Sequence, residues 1–563
     1  MSHRHMLGFI TAFFVRGVAS VNCYSRFDKL KGSSWVLAGG TDNDGNAVTS
    51  IGVATAMTLD LCLQTCGPGI WDKAARWLDF SERFSTWLLP FLALVSQLPF
   101  GGDTPFENVM SILLNVGSPT LAAYSVTLTT LNSRWIHRRF SRISYPSAQS
   151  AARVLDNLQQ SRLEVTGDDY VLSSLIVLPE NDQYWAELLI FLDVKHSYTW
   201  SFSNIASIIW VAVAFLLTVI HTFVDGEGSI DSNGIAVGFA WLWLLAIVTC
   251  SLNAAPRCDI TLLGNAIERA NQKLSLAKYI GQPESLDLTV QQPAISIEPD
   301  GGGSLTSDER RTAPIYNYAR MVPWSLSVGR MYAAFSAASY RAEHNIPVSA
   351  EIPWEKGTGH GVNPANRRGC LDQVAAYIQR PSDQHGEISG GGFRSLHASL
   401  MALLLTSGTL GSATLMDWYT PTIGLSCRSG GYIIYSLNSV LVWALLMTAN
   451  HLTHSIVSLE GKTGHRRFPY SANIAILLRR AAKILACMNA IWIVSACVAQ
   501  FAGVYENCWC NSSLGHRAYT VMYFTQEDIQ NWWKPLAGIT AFASSSVGGF
   551  VWFNVGLNPS ASK

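Results

Sequence analysis

Eight stretches of this chain run for about 20 residues without Asp, Glu, Lys or Arg while carrying aliphatic and aromatic bulk. Hydrocarbon offers no water to the backbone, so a stretch of that kind crosses a bilayer only as a helix. The windows are 84–102, 108–133, 200–222, 233–254, 396–416, 431–451, 484–505 and 535–556. The first is short and carries Pro90 and Pro99, the second is long but rich in Ser and Thr, and the third and fourth are the clearest. The expected fold class is an all-α integral membrane protein with about eight transmembrane helices, cytosolic helical segments and a disordered linker. Composition agrees: only 14% of residues are charged, against roughly a quarter in soluble domains. The expected location is a multi-pass position in an endomembrane or the plasma membrane, with the lipid bilayer as the constant partner. A net charge of zero argues against nucleic acid.

Charge orients the windows. With alternating spans and a cytosolic N-terminus, the segments 103–107, 223–232, 417–430 and 506–534 lie outside. Of 39 Lys and Arg, they hold only Arg428, Arg517 and Lys534. Arg134, Arg138, Arg139 and Arg142 follow the second window, and Arg466, Arg467, Arg479, Arg480 and Lys483 precede the seventh. The expected organisation is a cytosolic region 1–83, helices 1–2 over 84–133, a cytosolic helical region 134–199, and helices 3–4 over 200–254. A long cytosolic loop 255–395 follows, with a polar, Pro- and Gly-punctuated linker 282–314 expected to be disordered. Helices 5–6 take 396–451, a basic loop 452–483, helices 7–8 484–556, and a tail 557–563. The apolar run 6–15 has the length of a signal-peptide core; it reads instead as a segment packed on a surface.

The one Asn-x-Ser/Thr acceptor is Asn511, on the expected outside loop. Cys508 and Cys510 flank Trp509 there, and Cys427 lies on the neighbouring outside loop, so an oxidising lumen would let Cys427 pair with one of them. Cys23, Cys62, Cys66, Cys258 and Cys370 fall on the expected cytosolic side and are expected reduced.

Chemistry is sparse. Gly461-Lys462-Thr463 ends like a phosphate-binding loop, but position 456 is Ile, so the Gly-rich turn is missing. Among 13 His, His451 and His454 form a close pair, three residues apart at the end of the sixth window, where they share a helix face and could touch one metal or haem. Interfacial histidines are the more ordinary account, and no metal or cofactor is expected. Glu180 and Asp182, beside Asn181 and ahead of Trp185, are the other catalytic candidates; a turn and helix N-cap built on Pro179, Asn181 and Asp182 is the preferred account. The eight windows hold no ionisable side chain except His, which argues against ion-coupled transport. Asn115, Ser118, Thr127, Ser436 and Asn438 read as helix-to-helix glue.

Several stretches resemble a family of uncharacterised polytopic membrane proteins of filamentous ascomycete fungi. They are Ser118 to Ser125 running into Arg134–Arg139, Leu178 to Asp182, Tyr316 to Arg320, and Glu506 to Asn511. The resemblance covers roughly 80–555 and carries no assigned catalytic residue. Because such genes neighbour secondary-metabolite clusters, it implies an accessory or tailoring component acting on a lipophilic intermediate. An uncoupled facilitator or exporter of such a small molecule, or a membrane scaffold or receptor-like protein, are the alternatives.

Overall fold

Apolar runs that must satisfy their own backbone become helices, and in the computed structural model of the protein they do. The structure describes residues 22–32, 39–71, 80–81, 83–98, 105–161, 163–166, 168–193, 202–224, 232–254, 260–277, 293–297, 321–357, 361–379, 391–420, 422–463, 469–513 and 518–556. The run 6–15, the loop 225–231, the residues 464–468 and most of 282–314 lie outside them.

The N-terminal part holds α1 (Cys23–Lys31), β1 (Gly40–Thr41), β2 (Ala56–Thr58) and α2 (Leu59–Cys66). A π-helical turn, Phe84–Leu88, runs into Leu89–Val95; together they are α3. Then come α4 (Pro105–Gly117), α5 (Pro119–Phe140), α6 (Ala148–Asn157), β3 (Leu163–Val165), α7 (Asp169–Val177), α8 (Asp182–Asp193), α9 (Phe202–Val224) and α10 (Ser232–Ala254). The middle of the chain adds α11 (Ile260–Asn271), β4 (Ile295–Ile297), α12 (Met321–Glu343) and α13 (Leu371–Ile378). The last third is α14 (Gly391–Tyr419), α15 (Cys427–Thr463), α16 (Pro469–Phe501), the single turn α17 (Cys508–Asn511), β5 (Tyr519–Val521) and α18 (Gln526–Gly556).

The protein is mostly helical, and its long apolar helices are those of a multi-pass membrane protein. Among the described residues five helices are long and apolar enough to cross a membrane: α10, α14, α15, α16 and α18. The pair α4 and α5, bent by 104° at its break, makes a sixth if it counts as one span. The eight expected spans exceed that number. The first window yields only the short helix Phe84–Val95, and the third yields a described apolar stretch of Phe202–Leu217.

Three cores organise these elements. The first lies among the long helices, with Trp241, Trp243, Tyr124 and Tyr435 buried in it. The second gathers the end of α5 with α6, α7, α8, α11, α12 and α13 around Trp185, Trp324 and Phe335, one inner domain built from two separate insertions. Its two strands pair Leu163 with Ile297 and Val165 with Ile295. That pairing corrects the expected disorder at its strand residues: Ala294 and Ile295 are fully buried, because an apolar Ala-Ile pair gains more by covering the core than by solvation.

The third core forms a cap. The described residues of 23–71 and 506–525 share it, with Phe27, Met57, Cys62, Trp71, Cys508 and Met522 inside. In the antiparallel sheet β1-β2-β5, Ala56 faces Val521 and Thr58 faces Tyr519. Disulfides join Cys23 to Cys66, Cys62 to Cys508, and Cys427 to Cys510. Two expectations are corrected here. Cys23, Cys62 and Cys66 are bonded rather than reduced. The described parts of 22–71 and 506–525 cannot lie on opposite faces of a membrane, as the expected cytosolic 1–83 and outside 506–534 would have it, since covalent and hydrogen bonds tie them into one body.

Candidate functional site

The break between α4 and α5 is written in three residues. Gly117 ends α4 where a Cβ would sit 2.0 Å from the Ala486 carbonyl oxygen, so only glycine lets α4 approach α16 this closely. Pro119 starts α5 with no N–H to lose. Ser118 caps α5 by accepting from the Leu121 N–H.

A break in a packed helix frees backbone groups, and here α15 and α16 take them up, while α14 meets a side chain beside the break. Asn489 donates to the Gly117 carbonyl at 2.8 Å and to the Tyr435 carbonyl at 3.1 Å. The Tyr435 hydroxyl donates to the Val116 carbonyl at 2.5 Å. Ser118 donates to the Ser439 carbonyl, the Thr120 N–H donates to the Ser439 hydroxyl, and the Thr120 and Thr406 hydroxyls meet at 3.0 Å. All these side chains are buried, and Thr406, Ser439 and Asn489 belong to the inner stretches of their helices.

The polar groups continue in both directions. Along α15, Arg428, Tyr432, Tyr435 and Ser439 recur every three or four residues and share a face. At the cap end, Arg428 pairs with Glu506 at 2.8 Å, and the buried Asp417 of α14 accepts from the Ser426 hydroxyl. Tyr432 donates to Gln500 at 3.0 Å. Along α5, Ser118, Ser125, Thr129 and Asn132 fall on one face, and Gln160 of the inner domain donates to Thr129 at 3.2 Å. At the helical rise of 1.5 Å the α15 row spans about 16 Å and the α5 row about 21 Å, each shorter than a hydrocarbon core of about 30 Å. At the foot of α5, Asp156 accepts from Ser133 at 2.9 Å and meets His137 at 3.1 Å.

The charge-free windows stop short of this picture. The helices extend past them and carry buried charge at their ends: Arg394 and Asp417 on α14, and Arg479 on α16. Arg394 lies 4.0 Å over the Trp135 ring, and Arg479 donates to Thr453 at 2.6 Å.

The sequence-derived candidates lie elsewhere. Asp182 holds the buried Arg367 through two bonds, at 2.6 and 2.8 Å, and accepts from Ser147. Arg367 also donates to the Val177 carbonyl and lies over the Tyr145 ring, whose hydroxyl burial pushes up to about 12. Glu180 pairs with Arg368 on the surface. Both carboxylates serve the packing of the inner domain. His451 is exposed on α15, a helix packed in the first core rather than the second, and the His454 side chain lies outside the described residues. Among the described residues, His451 is not brought to Glu180 or Asp182. Cys427 is bonded to Cys510, leaving Cys508 for Cys62. Asn511 donates to Glu506 at 3.2 Å beside that bridge. One group among the described residues has metal-ligand spacing, the sulfurs of Cys23, Cys62 and Cys66 within 4.8 Å, but disulfide bonding leaves it no thiolate.

No protein-family model, curated protein or solved structure matches the chain.

Proposed function

We propose that this protein is a membrane facilitator that passes an uncharged metabolite through its helix bundle, in line with the fungal secondary-metabolite setting of the family it resembles. The observation that carries the reading is the Gly117–Ser118 break, set among buried hydroxyls and amides of three long helices. Discontinuous helices at mid-bundle are where solute-moving membrane proteins place their binding groups. The middle of the polar rows is neutral, which favours neutral cargo over ions. The tailoring-enzyme reading has less support, because Glu180 and Asp182 are engaged in ion pairs.

The membrane arrangement that goes with this reading has seven crossings. The Cys62–Cys508 bond makes the number of crossings between those residues even. The pair α4/α5 with α9, α10, α14, α15 and α16 gives six when α3 is left out, and α18 adds the seventh. Disulfides form on an oxidising side, and the Asn511 acceptor lies in the cap. Both support an outside cap. Basic flanks at Arg134–Arg142 and at Arg479, Arg480 and Lys483 support a cytosolic inner domain. Arg26, Lys29 and Lys31 belong to the folded cap, where that rule weighs little.

The test is metabolite profiling of cells with and without the gene. Retention of a finished neutral product inside the deletion strain, reversed by the wild-type gene, is the expected result. An accumulated precursor supports the tailoring enzyme instead, and an unchanged profile overturns the facilitator.

A further inference from the structure

Buried polar groups in folded proteins almost always find a partner, because an unmade bond costs the full desolvation of the group. Ser118 and Thr129 on the α5 face obey this. Asn132 does not. It is fully buried, and neither its amide nitrogen nor its amide oxygen has a hydrogen-bonding partner. Two turns earlier on the same face, the Ser125 hydroxyl, 1% exposed, is also unpartnered. Ser161, from the inner-domain segment that supplies Gln160, has a third orphaned hydroxyl. Ser125 and Asn132 flank Thr129 along α5, and the Thr129 hydroxyl is already bonded to the Ser125 carbonyl and to Gln160, the sequence neighbour of Ser161.

The helical rise puts Ser125 about 10 Å and Asn132 about 20 Å from the break. Ser125 and Asn132 therefore lie between the break and the inner domain, on the side through which cargo would leave or enter the cytosol. An Asn amide offers two donors and one acceptor oxygen, and a hydroxyl offers one donor and an acceptor. None of the three carries charge, and an apolar side chain of the same shape would be the cheaper choice if packing were their only task.

We propose that Asn132, with Ser125 and Ser161, is the inner binding site for cargo, and that the cargo carries an uncharged group able both to donate and to accept, namely a hydroxyl, a primary or secondary amide, or a carboxylic acid only in its protonated form. The site rests on the facilitator reading above and narrows its substrate class. A charged ammonium or carboxylate would enter with no counter-ion among these three residues, at a desolvation cost that neutral groups avoid.

Asn132→Leu separates the outcomes. Removing an orphaned amide should leave the fold at least as heat-stable as wild type in detergent, which a thermal scan checks. Introduced into the deletion strain, the variant should cut the extracellular pool of neutral hydroxyl- and amide-bearing metabolites about tenfold or more relative to the wild-type gene. Asn132→Gln, which keeps the amide, should restore part of that pool. Ser125→Ala, a smaller change that any helix tolerates, should lower it several-fold and keeps the test alive if Asn132→Leu does not fold. Full export by stable Asn132→Leu and by Ser125→Ala would overturn the site while leaving the facilitator standing. A wild-type gene that changes no pool would instead remove the facilitator itself.

Discussion

Cys62 and Cys508 are 446 positions apart in the chain and are bonded sulfur to sulfur, with β2 and β5 paired beside them. A bond of that kind is a statement about membrane topology as much as stability. Its first consequence can be read on a gel. Cleavage by a site-specific protease at a recognition sequence inserted between Gly67 and Gly69, where a Cβ meets nothing within 4 Å, should leave the large fragments separable only after reduction of the fragments' remaining bridge. Cys62→Ser should let them separate without reductant and should cost about 2–5 kcal/mol of cap stability.

Topology gives the second expectation. An epitope placed at that same loop should be stained on intact cells, and one at the C-terminus only after permeabilisation. Staining of both under one condition would restore an even number of crossings and sink the seven-crossing arrangement.

Gly117 supplies the third. Gly117→Ala drives a methyl into the Ala486 backbone carbonyl, so it should lose at least about 1–3 kcal/mol, seen as a lower melting temperature and poor yield. Ala486→Gly should not rescue it, because the obstacle is backbone rather than side chain. Rescue would show that α4 and α16 are less closely locked than the structure has them.

The fourth concerns Arg367 and Asp182. Asp182→Ala leaves a guanidinium that is 1% exposed without its carboxylate, and should cost about 3 kcal/mol. Arg367→Met combined with Asp182→Leu should recover most of that. A double variant that folds but exports nothing would return Asp182 to the list of functional residues.

Alkaline pH tests the same cluster. Burial raises the Tyr145 hydroxyl from its ordinary 10.0 to about 12. A raised folded-state value means the contribution is complete below pH 10 and is lost as pH climbs from there through 12. Wild type should therefore lose stability over that window more steeply than Tyr145→Phe, as thermal scans at each pH would reveal.

How much of this the residues disclosed depends on the range of the physics involved. Length and lack of charge are local properties, so α10, α14, α15, α16 and α18 were legible as spans. The polar composition of the second window was legible too, and Ser118 does join helices, through Ser439. What could not be read was which helix each hydroxyl meets, since Thr120 and Thr406 are brought together only by folding. The cysteines show the same limit from the other side. Charge asymmetry put Cys62 in the cytosol, but that rule weighs a short flank well and a folded region poorly, and nothing near Cys62 in sequence points to Cys508. Glu180 and Asp182 looked like an acid pair because their partners, Arg368 and Arg367, come from an insertion nearly two hundred residues later. Asn132 sat inside a window judged by its lack of charge, where an unpaired amide gives no signal.

The cap also has a mechanical meaning. Cys427 is the first residue of α15, and its bridge to Cys510 joins that helix end to a body already bound to the N-terminal region through Cys62. The cap end of the bundle is thus clamped like the closed end of a pair of tongs. At the other end, side-chain contacts such as Gln160 on Thr129 and Arg394 on Trp135 hold α5 and α14 to the inner domain, and these can be exchanged on a timescale that covalent bridges cannot. Any widening of the helices has its pivot under the cap and its travel at the end that meets the inner domain.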